Sequence, residues 1–121
     1  VKITILGGGN AGCLTALHYG HHTRKISNIE IELIYDKNIP PEIVGQGTLI
    51  ECPTLLWEAL QIDWCNNPIQ ATPKTGILYE NWGKKQEKIF HPFPFHTTAL
   101  HYSPEKLQDT ILKSNLFAVK E

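Results

Sequence analysis

Three glycines near the start of the chain, Gly7, Gly9 and Gly12, stand in GxGxxG order directly after a β-branched apolar run. Each has its own task in holding a pyrophosphate. Gly7 permits the tight turn, Gly9 removes the side chain that would keep phosphate from the backbone, and Gly12 lets a helix lie close to the strand. Asn10 and Ala11 open that helix, whose unpaired N–H groups and positive dipole end face an anion. Asp36 follows about 24 residues after Gly12, near the separation at which an acid receives ribose hydroxyls. A strand-end Asp that caps a turn is the alternative reading. With an acid there and Lys37 the lone adjacent base, the ribose of FAD or NAD is favoured over that of NADP.

Other side chains able to do chemistry are less specific. Lys74 after Pro73 reads, on the residues alone, as a solvated lysine at a strand start. His91, between Phe90 and Pro92, reads as a hydrogen-bonded core histidine or as a pocket wall. His18, His21 and His22 share a helical face but lack the Glu of an HExxH order, so no metal site is expected. Cys13, Cys52 and Cys65 form no CxxC pair and are expected to be buried free thiols. At a helix start Cys13 has the option of a lowered pKa, with burial as a small apolar residue favoured over it. Trp57 and Trp82 are expected as core or interface aromatics.

The elements that must position these residues follow from periodicity. Residues 1–6 suit a buried parallel strand, 11–22 a helix and 29–35 a second strand with Asp36 at its carboxyl end. Residues 37–48, with Pro40, Pro41, Gly45 and Gly47, describe an extended loop of the kind that serves a ligand. A helix starts at Pro53 and runs to about Ile62. Residues 75–82 alternate as a strand, 84–88 form a polar hairpin tip, and Ile89 and Phe90 pair back. Ser103 as N-cap, Pro104 at N1 and Glu105 in the first turn open the last helix, with Leu107, Ile111 and Leu112 on one face.

At 121 residues and 41% hydrophobic side chains, there is apolar material for one core and little for a second. Eleven basic against twelve acidic residues leave a formal charge of -1, which gives no electrostatic footprint for nucleic acid or an anionic membrane. No apolar run approaches a membrane span and no signal peptide is visible, so a cytoplasmic protein is expected. The absence of any Met suggests a fragment.

Beyond the glycine turn, three further segments recur in a fixed order: VGQGT (Val44, Gly45, Gln46, Gly47, Thr48), PKTGILYENWG from Pro73 to Gly83, and FHPF from Phe90 to Phe93. Together they resemble the amino-terminal part of the flavin-dependent tryptophan halogenase family, from the first strand through about Pro94. The resemblance implies an α/β, Rossmann-like FAD-binding fold of the flavin monooxygenase type, incomplete here. Residues 1–121 would then be the amino-terminal part of a single FAD-binding and halogenase domain. It implies that reduced FAD, supplied by a separate flavin reductase, makes hypohalous acid from oxygen and a halide co-substrate. Lys74 would direct it onto an electron-rich aromatic small molecule such as an indole or phenol. The lysine does so either as an ammonium that polarises hypohalous acid or as an amine that takes the halogen.

By the same match, Val44 to Thr48 would be a strap beside the flavin that links the two sites, and His91 and Phe93 would wall the substrate pocket. Three departures stand out. Gln46 replaces the family's strap Glu, Cys13 replaces a frequent aromatic, and the Trp-x-Trp-x-Ile-Pro segment and a distal active-site Glu have no match. Two alternatives compete. One is a FAD- or NAD-dependent oxidoreductase without halide chemistry, and the other a non-catalytic dinucleotide-binding module. Homo-oligomerisation is left open.

Overall fold

A computed structural model of the chain describes residues 1–85 and 87–121; Gln86, at the expected hairpin tip, lies outside the described residues. Its elements run β1 (Lys2–Leu6), α1 (Asn10–Thr23), β2 (Glu30–Ile34), β3 (Gln46–Gly47), α2 (Cys52–Leu60), β4 (Thr72–Lys74), β5 (Gly76–Trp82), β6 (Glu87–Pro92), β7 (Ala99–Tyr102), α3 (Pro104–Leu112) and β8 (Ala118–Lys120). β1 and β2 pair in parallel, Lys2 opposite Glu30 and Leu6 opposite Ile34, so β1-α1-β2 is the expected crossover unit. β8 adds in parallel on the other side of β2.

β1 is therefore an edge strand among the described residues, not the buried strand expected. Ile3 and Ile5 are half-buried while Lys2, Thr4 and Leu6 are exposed, a period of two that a short β-branched run conceals. The buried strand is β2, where Ile31, Glu32 and Leu33 are all covered. Glu32 is tolerable there because lysines on both neighbouring strands reach it, Lys2 Nζ at 3.0 Å and Lys120 Nζ at 2.5 Å. These bonds, Lys120's first, hold its carboxyl below the usual glutamate range.

A second sheet, ordered β3-β7-β4, is antiparallel throughout. Three expectations change here. The 37–48 loop ends in a short strand, and neither β4 nor β7 is among the expected elements, whereas the strand expected over 75–82 is present as β5. Pro73 is accommodated because β4 is an edge, where a missing N–H costs no ladder bond. β5 and β6 form a separate hairpin, whose return strand already includes Glu87 and Lys88 of the expected tip. Trp82, expected in a core or interface, is 73% exposed on this hairpin, whereas Trp57 is half-buried against the core.

One core joins the two sheets. Leu17 of α1, Leu33 of β2, Leu56 of α2, Leu100 of β7, and Leu107 and Ile111 of α3 are fully buried in it. α3 starts as read, with the Ser103 hydroxyl accepting from the Lys106 N–H at 3.4 Å and Pro104 in its first turn.

Candidate functional site

The glycine turn is shaped by close backbone approaches. Gly7 has φ +107°, a conformation that needs glycine, and its N–H donates to Ile34 O at 2.8 Å. A methyl group on Gly12 would stand 1.8 Å from the Gly7 carbonyl oxygen, so the helix meets the turn with no room for a side chain. A methyl on Gly9 would meet nothing within 4 Å. Gly9 faces a cleft of about 760 Å³ lined by the turn, Asp36, Pro40, Gln46 and Gln108 among others. α1 carries no side-chain cap at Gly9 and no acid in its first turn, which leaves its opening N–H groups directed at that cleft.

Cys13 is fully buried beneath the turn, where its Sγ donates to Gly8 O at 3.1 Å. Burial pushes the thiol up to about 11, which overturns the option of a lowered pKa at this helix start. Cys52 is half-buried and also raised by burial, whereas Cys65 is exposed, contrary to the buried state expected of all three. Asp36 caps a turn at the edge of the cleft. Its Oδ1 accepts from Asn38 N at 2.8 Å and Asn38 Nδ2 at 2.9 Å.

The strap is pinned at consecutive residues to different partners. Gln46 Oε1 accepts from Asn10 Nδ2 at 2.9 Å, and Asn10 Oδ1 accepts from Gln108 Nε2 at 2.8 Å. Gly47 passes beneath Lys74: a methyl there would lie 3.3 Å from Lys74 Nζ and 3.6 Å from His101 Nδ1. Thr48 is buried and exchanges two bonds with Leu100, its N–H donating to Leu100 O at 2.7 Å and its hydroxyl accepting from Leu100 N at 2.9 Å. Val44 and Gly45 run along the exposed surface before these anchors.

Lys74 Nζ stands 5.6 Å from the centre of the Phe93 ring, a cation-π arrangement. The Phe93 N–H donates to Thr75 O at 2.8 Å, which anchors its backbone next to the residue that follows the lysine. None of the ion pairs among the described residues involves Lys74. The lysine, the strap and Phe93 are thus brought together, while His91 sits on β6 opposite Ile77 with an exposed side chain.

The family model for tryptophan halogenases matches residues 2–113. The chain belongs to the tryptophan halogenase family. Among solved structures it is similar to a flavin-dependent halogenase from Xanthomonas campestris, at 19% identity and TM-score 0.78, covering 98% of this chain and 34% of that one. It is similar as well to a tryptophan 6-halogenase from Streptomyces toxytricini, at 15% identity and TM-score 0.75, covering 98% and 34%. A more distant likeness, at 15% identity and TM-score 0.57, covers 98% of this chain and 32% of p-nitrophenol 4-monooxygenase from Pseudomonas putida. These likenesses establish the α/β fold, and the chain spans about a third of the length of the structures it matches. No curated protein sequence matches it.

In this member of the tryptophan halogenase family, two residues near the cleft and the lysine lie outside the sequence motifs. His101 lies on β7, opposite Gly47 on one side and Thr72 on the other, so it shares the sheet face with Lys74. No motif marks it, because its placement depends on pairing between segments far apart in sequence. Gln108 sits in α3 beside Leu107 and is 8% exposed; a glutamine next to the apolar positions of a buried helix face was the available signal. The His18 and His22 rings lie 4.5 Å apart between centroids, tilted by 60°, and no group of three metal-capable side chains occurs among the described residues. No helix among them is long and apolar enough to cross a membrane.

Proposed function

We propose that this chain is the amino-terminal part of a flavin-dependent halogenase, residues 1–121 forming part of a single FAD-binding and halogenase domain. The observation that carries the reading is the strap, in which Gln46 is tied to the phosphate turn and the next residue, Gly47, lies against Lys74. Consecutive residues of an extended segment point to opposite faces, so one short strand touches both the cleft and the lysine.

The cleft fits a flavin dinucleotide. Gly9 leaves open space where a pyrophosphate would approach the backbone, the uncapped start of α1 offers N–H groups, and Asp36 keeps one carboxylate oxygen outside its turn. Gly7, Gly9, Asn10, Ala11, Gly12, Asp36 and the strap residues Val44 to Thr48 would hold the group. Held there in reduced form, as supplied by a separate reductase, FAD would provide with oxygen and halide the hypohalous acid that the reaction consumes.

Lys74 takes up that oxidant, either as an ammonium that hydrogen-bonds and polarises it or as a neutral amine that takes the halogen from oxygen onto its nitrogen with release of water, and presents the halogen to the substrate. Phe93, ordered beside the lysine, supplies a flat wall for an indole- or phenol-like ring, with His91 further along the same chain segment. The test is product analysis with reduced FAD, oxygen and bromide, using the longest form of the protein that carries this chain. Halide-dependent product that disappears in Lys74→Ala, with FAD binding kept, supports the assignment.

A second reading, a flavin monooxygenase without halide chemistry, draws on the likeness to p-nitrophenol 4-monooxygenase. It expects a hydroxylated product whose yield does not respond to bromide.

A further inference from the structure

We infer that Gln108 is a positioning residue: through Asn10 it holds Gln46, and with it the strap, against the phosphate turn by a relay of three primary amides that can run in either direction. Gln108 is nearly buried in α3, and a buried amide needs a partner. Its partner is Asn10, 98 residues away in sequence, and Asn10 in turn meets Gln46 across 36 residues. The two bonds, at 2.8 Å and 2.9 Å, tie α3, the first residue of α1 and β3 together at the cleft.

The chemistry of the relay sets its rules. Each junction needs one donor and one acceptor. A primary amide carries both, so the sequence Gln108 to Asn10 to Gln46 works as drawn and works equally with all three amides turned over. A carboxylate at one end accepts only, which fixes the direction without breaking it. Carboxylates at both ends place the Asn10 oxygen against an acceptor whichever way it turns. A carboxylate in the middle is again acceptable, because both glutamines can donate to it. The side chain of Asn10 is spent on the strap, so what it offers the cleft is its backbone N–H.

Amide exchange at Thr48, whose N–H donates to Leu100 O, reports whether the strap stays docked, and it requires no flavin. Failure of the relay and failure of the halogenase reading are therefore separate results. In the longest form of the protein that carries this chain, Gln46→Glu and Gln108→Glu are each expected to leave the Thr48 exchange rate within about threefold of the parent, since one direction of the relay survives. The double variant is expected to exchange at least about tenfold faster than the product of the single effects, the loss of a partly buried hydrogen bond. Asn10→Asp alone is expected to keep the strap protected, whereas Asn10→Leu releases it. A double variant that equals the product of its singles would overturn the relay. Should the double variant fail to fold, the Asn10 pair decides, and an Asn10→Asp as disruptive as Asn10→Leu overturns it.

Discussion

The phosphate turn and the β5–β6 hairpin both carry residues assigned to function, and they are held under opposite conditions. In the turn, the Gly7 carbonyl leaves no room for a side chain at Gly12, the buried Cys13 thiol donates to Gly8 O, and the strap is bonded to its rim. On the hairpin every residue of β6 is exposed, as are Leu78 and Trp82 on β5, and position is set by the ladder from Gly76–Pro92 to Trp82–Glu87. The cleft at the turn is thus preorganised by packing, whereas the segment bearing Phe93 near Lys74 is anchored by the Phe93 N–H to Thr75 O bond, and the hairpin that leads to it is open along its length. Substitutions should be severe in the first region and mild in the second.

The largest effect is expected for Gly12→Val. Its branched side chain would enter the Gly7 carbonyl, and denaturant unfolding should report a loss of about 3 kcal/mol or more. A loss below about 1 kcal/mol would mean that the turn yields as easily as the hairpin.

Acid tests the same half of the molecule through Glu32. The hydrogen bonds from Lys120 and then Lys2 depress its folded pKa below the ordinary value of 4.5. The stability it contributes is therefore fully present above the unfolded value and lost as pH falls through the lower folded value. Glu32→Gln should flatten that part of the acid-unfolding curve and lower stability at neutral pH, as seen by thermal melts across pH 2 to 7, roughly the span in which carboxylates titrate.

Gly47→Ala stands between the two regions. Its methyl would press on the end of the Lys74 side chain at 3.3 Å, a group that can give way, and would rest in ordinary contact with His101 Nδ1 at 3.6 Å. Stability should fall by about 1 kcal/mol or less, while product formation by the enzyme falls further because the lysine is displaced. Equal losses in both would make Gly47 a packing residue alone. The smallest effect is expected for Trp82→Ser on the exposed hairpin, within about 0.5 kcal/mol of the parent by the same unfolding assay.

The contrast also explains what could be read from the sequence. The turn, α1 and the start of α3 were legible because their determinants are local: glycine spacing, Ser103 before Pro104, and helical apolar periodicity. β7 was not, since Ala99, Leu100 and Tyr102 become a central strand only by pairing with β3 and β4, and four residues carry little periodicity of their own. His101 and the Gln108 relay were hidden for the same reason. The edge position of β1 was missed because Ile3 and Ile5 alternate with Thr4 and Leu6 too briefly to separate one-sided from two-sided burial. Lys74, unremarkable as an isolated lysine, was marked only by the motif around it; the strap and Phe93 beside it are contacts of the folded chain.

The most direct test is mass spectrometry of the products formed with reduced FAD and oxygen, with and without bromide, by the enzyme carrying this chain and by its Lys74→Ala variant, alongside FAD binding. The expected result is a brominated aromatic product that requires bromide and vanishes in Lys74→Ala while FAD still binds. Brominated product persisting in Lys74→Ala, or a parent enzyme whose only product is independent of bromide, would contradict it.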